Sequence, residues 1–511
     1  MQVSSLRASA PETLSGGRRA WVVGVMCTAV GLVIAMVTIV NIALPSLASE
    51  TGMSQAQQTW VVDVYTLVLA ALVLPAGALG DRHGRRGVLV IGLAIFAVSC
   101  AAPLAVDSAG WLIAARGVTG LGAALIMPAT LSIINASFPP GERGRAIGVW
   151  AAVAGFGGMA GLVVAGLLLR HFSWHAVFLG PAVLGVVLAA LVFTVPTSRE
   201  HRPHPFDLTG AALSALSIGL VVFGILRAAE HGWGDVVVLG SLVAGCVLGG
   251  VFAWAETRRV EPLLDVRLFA DRAFATGSLS VTLQFTAAFG AIYVLTQYLQ
   301  LIKGYDPLGS GLALGPLAVT LFPLSLVSAV LAQKLGLRLV TCAGLTLVAV
   351  GMLLLSLLSP GSGYPQFAVA ICVMGAGMGL SAPVATSAIL DNVPPDKYGV
   401  ASAVNDATRE IGAALGIALA GSILSTAYRH GIAPVAAALP EPVREVASGS
   451  VAGTLGVAQQ SGPAGAELAE AGRTAFADGM WPSLLTLTVI VAVGVVAIAF
   501  FGPRRRFSDD R

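Results

Sequence analysis

Charge is what this sequence has least of. Only 11% of its 511 residues are Asp, Glu, Lys or Arg, where a soluble domain carries ~25%. The deficit excludes an ordinary soluble fold, because most of the chain must lie where charge is expensive. Lysine is almost missing, being confined to Lys303, Lys334 and Lys397. Cysteine is sparse too: Cys27, Cys100, Cys246, Cys342 and Cys372 each sit in an apolar stretch, without CxxC spacing or a neighbouring His. They read as small core residues, not as a disulfide framework or metal set. A GxxxxGK[ST] loop is absent, which argues against an ATP-driven engine. HExxH, GxSxG and any His/Cys cluster are absent as well, and the seven His are scattered, mostly in loops. Neither hydrolytic nor metal-centred enzymology is indicated, and no cofactor is expected.

What the sequence has is apolar length. Hydrophobic residues make up 56% of the chain and the mean hydropathy is +0.86. Fourteen stretches of about 20 residues, from Trp21–Leu44 to Met480–Phe501, are long enough to cross a bilayer. The first is too long for a secretory h-region and lacks a cleavage site, so no signal peptide is expected. The fold class is therefore an all-α polytopic membrane protein. Alternate loops are rich in arginine: Arg18 and Arg19; Arg82, Arg85 and Arg86; Arg143 and Arg145; Arg199 and Arg202; Arg258, Arg259, Arg267 and Arg272; Arg504 to Arg506. Lys334, Arg338 and Lys397 fall in the same set. The other set is poor in basic residues, and this asymmetry places both termini in the cytoplasm of a cell-membrane protein.

A faint repeat joins Leu79-Gly-Asp-Arg-His-Gly-Arg-Arg86 after span two to Leu331-Ala-Gln-Lys-Leu-Gly-Leu-Arg338 after span ten. Spans nine to 14 then match spans one to six, and spans seven and eight are inserted between. The expected division is a disordered cytoplasmic tail 1–20, a six-helix bundle 21–200, an inserted pair 201–270, a six-helix bundle 271–502 and a tail 503–511. The Ala-, Gly- and Pro-rich segment 429–479 is expected as an extracellular loop, with at most a short helix near Glu467–Phe476. Repeated halves are how many transporters are built, with the substrate site between them.

The strongest motif is Gly77-Ala-Leu-Gly-Asp-Arg-His-Gly-Arg-Arg86. So short a turn needs glycine at positions such as Gly77 and Gly84. Asp81 is suited to accept from N–H groups at a helix start, while Arg82, Arg85 and Arg86 face the cytoplasm and anionic lipid. A basic turn alone would not require this order of residues. Here the chain resembles the major facilitator superfamily, whose loop between spans two and three has this pattern and latches the two halves together in the outward-facing state. The resemblance covers essentially the whole chain. Thr38-Ile-Val-Asn-Ile-Ala-Leu-Pro45, Trp60-Val-Val-Asp-Val-Tyr65, Leu112-Ile-Ala-Ala-Arg-Gly-Val-Thr-Gly-Leu-Gly122 and Phe206-Asp-Leu-Thr-Gly210 narrow it to the 14-span drug–proton antiporter branch. That implies two six-helix bundles plus two inserted helices, and export of drugs or dyes in exchange for protons.

Two departures stand out. Met36 occupies the position of the branch's usual span-one Asp. The span-five antiporter motif lacks its proline, reading Gly161-Leu162, although Gly155, Gly157, Gly158, Gly161 and Gly166 still permit close helix packing. The missing proline leaves the bending of this helix open.

Charges inside the membrane are candidates for function. Asp406 and Glu410 are four residues apart in span 13, on one helix face, with Asp406 ~10 Å deep at ~1.5 Å per residue. Two such carboxyls suit the binding of a proton on one side and its release on the other, as acidic residues at matching positions do in the dye-exporting subgroup. The plainer alternative is local pairing with Arg409 at a helix end. Asp63 in span two is a second candidate for cation recognition or protonation, or else an interfacial charge. Arg116 in span four, at similar depth, is expected to pair with it or to bond backbone carbonyls of span one. Met36, Trp60, Tyr65, Phe285, Phe289, Tyr293, Gln297 and Gln300 are candidates to line the cavity, because aromatic faces attract organic cations and methionine suits varied ligands. Small-molecule substrate, protons and the lipid bilayer are the expected partners of a monomer that binds no nucleic acid. An uptake carrier or lipid-handling protein on the same fold, or a membrane enzyme or sensor, are the competing readings.

Overall fold

In the computed structural model, which describes residues 15–105, 108–196, 206–391, 393–461 and 465–503, the chain is helix after helix. Among the described residues there is no strand. The helices are α1 (Gly16–Thr51), α2 (Gln55–His83), α3 (Arg85–Ala101), α4 (Ala109–Ser137), α5 (Pro140–His171), α6 (His175–Val192), α7 (Leu208–His231), α8 (Val236–Glu256) and α9 (Arg272–Gln297). They continue with α10 (Pro307–Ala313), α11 (Gly315–Leu335), α12 (Leu337–Ser356), α13 (Tyr364–Leu390), α14 (Tyr398–Ala436), α15 (Glu441–Gly449), α16 (Val451–Gln460) and α17 (Gly465–Phe501). Thirteen spans are long and apolar enough to cross a membrane, α10 and α11 forming one of them, and α5 is a bent fourteenth. An even number brings both ends to one side, called here the terminal face. The expected tail 1–20 falls outside the described residues up to 14, as do Arg199, Arg202 and Arg504 to Arg506.

The packing repeats. Helix α1 lies on α5 as α9 lies on α14; α2 pairs with α4 as α11 pairs with α13; α3 contacts α4 and α6 as α12 contacts α13 and α17. The turns repeat as well. Gly84, between α2 and α3, has φ 99°, and Gly336, between α11 and α12, has φ 89°. An L side chain is strained at such angles and glycine is not. A second correspondence escaped the sequence reading: Pro139-Pro140 opens α5 as Pro394-Pro395 precedes α14, each followed by a glycine, Gly144 and Gly399. Proline's fixed φ suits the start of a helix.

Outward-facing apolar side chains such as Val98, Val319 and Val493 are more than half exposed, as suits contact with lipid tails. The inserted pair α7–α8 is strongly lipid-facing too, with Leu216, Val243 and Val247 exposed. Its inner helix α7 packs against α2 of the first half and α14 of the second, so the insertion flanks the seam between the halves.

One expectation needs correction, and one point left open is answered. The segment 429–479 is helical through most of its described length: α14 runs on to Ala436, α15 and α16 follow, and α17 begins at Gly465. Tyr428 on α14 joins this cap by its hydroxyl, 2.5 Å from Thr454 Oγ1. Glycine and proline suggested a loop, but alanine, the best helix former, dominates between them. The span-five helix bends without a proline. Its parts Gly141–Gly155 and Ala160–His171 meet at 44°, next to Gly155, Gly157 and Gly158, and glycine is an established cause of kinks.

Candidate functional site

At the terminal face the two halves are bolted together. Asp81, at the end of α2, is buried. Its Oδ1 accepts from Arg85 Nη2 at 2.7 Å and Nε at 3.0 Å. The same carboxylate accepts from the backbone N–H of Gly399 (2.8 Å) and Val400 (3.0 Å). Those are orphan donors at the start of α14, so the helix that Asp81 caps belongs to the other half and not to the adjoining α3. Arg85 also donates to the carbonyl of Pro395 at 2.7 Å, while Arg86 reaches back to Val195 within its own half. Gly77 lies directly against Gly399 and Ala403, where a Cβ would collide with backbone. Across the seam, Gly144 of α5 meets Ala329 and Gly148 meets Ser325 of α11. Tyr398 stands between the two contacts, with the guanidiniums of Arg85 and Arg143 each 5.5 Å from its ring centre. Its hydroxyl accepts from Arg143 Nη1 at 3.0 Å. This face is closed.

Above the closure, Asp406, Arg409 and Glu410 stand on α14. The helix begins at Tyr398, which places Asp406 about two turns in, at 0% exposure. Its Oδ1 is 3.4 Å from Asn405 Nδ2, and Asn405 Oδ1 accepts from Thr386 at 3.0 Å. The expected pairing with Arg409 is loose, 3.9 Å from Nη1 to Oδ1, too long for a hydrogen bond. Arg409 is instead held by rings, 4.8 Å from the centre of Trp150 on α5 and 4.5 Å from that of Phe285 on α9. One ring comes from each half. Trp150 is fixed in turn by Nε1 donating to Thr130. Asp406 Oδ2 and Arg409 Nη1 are buried without a hydrogen-bond partner among the described residues. Ala151, Gly155, Phe285, Ser325, Met378 and Arg409 line a crevice here whose free space is about 10 Å³. That admits about one water, so the arrangement is occluded for any drug-sized molecule.

In the first half, Arg116 on α4 is 1% exposed. The expected pairing with Asp63 does not hold it. Nε donates to the carbonyl of Val61 at 3.0 Å, the guanidinium covers the ring of Tyr65 at 4.3 Å, and Nη1 and Nη2 have no hydrogen-bond partner among the described residues. Val61 and Tyr65, four residues apart, share the inner face of α2, whereas position 63 is ~200° away from each. Asp63 is half-buried at helical spacing from Trp60. Tyr65 donates to the carbonyl of Val33 on α1 and lies within electrostatic reach of both Arg116 and Glu410 of the other half. A polar layer thus runs from Arg116 through Tyr65 to the α14 charges.

The remaining cavity candidates divide. Met36 is buried, and Phe285 and Phe289 stack at 5.7 Å. Trp60, expected in the cavity, is 42% exposed and stacks on Phe223 of the inserted pair at 6.3 Å. Tyr293 is more than a third exposed beside Gly421, Gln297 approaches its carbonyl at 3.4 Å, and Gln300 lies in the π-helical turn Tyr298–Ile302 after α9. Of the span-five glycines, Gly157 abuts Ile34, Gly161 abuts Thr38 and Ala35, Gly155 faces Leu321 and Gly166 faces Leu308. Sequence reading missed Trp150, Tyr398, Asn405 and Arg143. Only the Pro-Pro-x-x-x-Gly recurrence before α14 could have signalled that neighbourhood.

Two repeated six-helix sets, closed on each other at one face and holding buried charge at their seam, define a multi-pass membrane transporter. The chain belongs to the Major Facilitator Superfamily, whose family model matches residues 26–416 and 277–508. Among curated relatives it is 35% identical to the multidrug efflux pump LfrA of Mycolicibacterium smegmatis, over 96% of this chain and 98% of that protein. It is 31% identical to the tetracenomycin C resistance and export protein of Streptomyces glaucescens, over 93% of this chain and 89% of that one. Among solved structures, the human organic anion transporter MFSD10 has the same fold, with a TM-score of 0.64, 14% identity, and coverage of 94% of this chain and 99% of that one.

Proposed function

We propose that the chain exports hydrophobic or cationic drugs, dyes or a natural product across the cytoplasmic membrane in exchange for protons, with both termini in the cytoplasm. The efflux and resistance proteins it resembles along nearly their whole length support export. The observation that carries coupling is the Asp406, Arg409 and Glu410 group at the seam, with Asp406 and Arg409 buried and Glu410 partly so, directly above a closed gate. A carboxyl with one buried oxygen, Oδ2, unpartnered among the described residues, beside a guanidinium clasped by one ring from each half, links proton occupancy to how the halves meet. With Asp406 ionised, Arg409 has a counter-charge at 3.9 Å. With Asp406 protonated, the guanidinium is left to its two rings and to whatever acceptor enters the crevice. Asp81 and Arg85 latch the cytoplasmic face while this exchange occurs. Arg116 and Tyr65 extend the polar layer into the first half.

In inverted vesicles carrying an imposed pH gradient, adding ethidium or another exported dye should dissipate the gradient. Asp406→Asn and Glu410→Gln should each abolish that response. Undiminished proton release in both variants would remove these residues from the coupling step.

A further inference from the structure

A second pair of carboxyls lies at the foot of the inserted helices, away from the seam charges. Asp207 caps α7, its Oδ1 accepting from Gly210 N–H at 2.8 Å and pairing with Arg259 Nη1 at 2.5 Å. Glu256, the last residue of α8, is 2% exposed, and its Oε2 accepts from Leu264 N–H at 3.1 Å. Each carboxyl therefore has one oxygen anchored by donors. The other two oxygens, Asp207 Oδ2 and Glu256 Oε1, are buried and have no donor among the described residues. They are close to each other, since a Cβ on Gly210 would lie 2.5 Å from Asp207 Oδ2 and 2.6 Å from Glu256 Oε1. Two buried carboxylates meeting oxygen to oxygen repel, and a hydrogen bond between them exists only if one carries a proton.

We infer that Asp207 and Glu256 form a proton-binding site in which one proton is shared between Oδ2 and Oε1, stapling α7, α8 and the linker at Leu264 into a single foot. The site adjoins the gate. Asp207 lines a pocket with Asp81, Arg82, Glu261 and Lys397, so the foot forms part of the wall beside the latch. The charged groups around the pair are Arg259 and Glu261 from the linker, Asp81 and Arg82 from α2, and Lys397 ahead of α14. Arg258 is turned away onto Trp254, and Arg267 donates to the carbonyl of Thr257. The foot closed on its shared proton binds one proton more than the opened foot, whose two carboxylates ionise separately. Its closure is therefore complete at low pH and is lost as pH rises on the terminal face.

Hydrogen exchange of the full-length protein, corrected for the intrinsic pH dependence, tests this in peptides spanning 257–268 and 206–212. Opening should increase by up to about tenfold per pH unit between the titration of the separated carboxyls and that of the closed pair, the slope that one proton allows. Glu256→Gln replaces the shared proton with an amide N–H donor and should hold the foot closed at every pH. Protection in the wild type that is independent of pH would overturn the inference, as would a Glu256→Gln protein that opens with the wild-type slope. Should Glu256→Gln fail to fold, Asp207→Asn, with its amide facing Oε1, is expected to give the same flat profile, and a wild-type slope there would be equally decisive. The outcome does not depend on what is transported, so it stands or falls apart from the export reading.

Discussion

The turn after α2 and the turn after α11 are the same piece of backbone carrying different chemistry. Both pivot on a glycine of similar positive φ, Gly84 and Gly336. Both bring a small residue, Gly77 or Ala329, against the glycine that opens a helix of the other half, Gly399 or Gly144. Yet the first turn has Asp81 and Arg85 where the second has Gln333 and Leu337. The long helices that receive these contacts are matched and unmatched in the same way. Gly157 and Gly161 of α5 pack on α1 as Gly412 and Gly416 of α14 pack on α9. At one constant offset, however, Ala151, Ala154 and Gly155 stand where α14 has Asp406, Arg409 and Glu410. The scaffold is two-fold and the function is not: the first half supplies the gating anion, and the second supplies the buried charge at the seam.

The sharpest way to break that comparison is to remove the one gating anion. Asp81→Ala should remove the counter-ion of Arg85 and leave two backbone N–H donors unpaired in a buried site, a loss of ~3–5 kcal/mol for the closed face by analogy with buried ion pairs. Its counterpart Gln333→Ala should change the same quantity by no more than ~0.5 kcal/mol, as most exposed substitutions do. Spin labels at Gly87 and Asp396 would report the closed population as a distance distribution. Equal effects of the two substitutions would mean that closure is shared symmetrically and that the Asp81 bonds are incidental.

How far the sequence disclosed this division follows from the range of its signals. Fourteen crossings were legible because burial in lipid demands apolar runs, and the latch was legible because its residues lie within one turn. The latch's other side was not. Val400 contributes only a backbone N–H group, which leaves no mark in the choice of side chain, and Gly399 shows only as one glycine among 61. Arg116 was matched to Asp63 by charge and depth, but helical geometry puts Asp63 on another face from Val61 and Tyr65, which hold the guanidinium. Trp60 was assigned to a cavity for its ring, and it serves to seat the inserted pair. Asp406 and Glu410 were found because carboxylates are rare in spans. Trp150, half of the clasp on Arg409, was overlooked because a tryptophan in a membrane helix usually faces lipid.

A second comparison should show sameness. A Cβ at Gly161 would strike Thr38 and the carbonyl of Ala35, and one at Gly416 would strike the carbonyl of Thr286. Gly161→Ala and Gly416→Ala should each cost ~1–3 kcal/mol by overpacking, read as similar falls in thermal stability of the purified protein. A large inequality between the two would show that the antiport-motif glycines of α5 have a role that their counterparts in α14 lack.

The smallest effect is expected where the halves meet most nearly on their axis. Arg143 and Tyr398 occupy equivalent places ahead of Gly144 and Gly399, and they touch one another through the 3.0 Å bond from Nη1 to the tyrosine hydroxyl. Tyr398→Phe removes that acceptor but leaves the ring under both Arg85 and Arg143. Arg143 keeps its 2.8 Å bond from Nε to the carbonyl of Phe138. The loss to the closed face should therefore be ~0.5–1.5 kcal/mol, a modest shift in the same spin-label distribution. Tyr398→Leu, which also removes the ring, should cost more by the two cation–π contacts, each ~0.5–1 kcal/mol at a partly wet site. If Phe and Leu behave alike, the rings contribute nothing and Asp81 alone carries the closure. If Tyr398→Phe matches Asp81→Ala, the axis contact shares the latch's work, and the asymmetry between the halves is shallower than their residues imply.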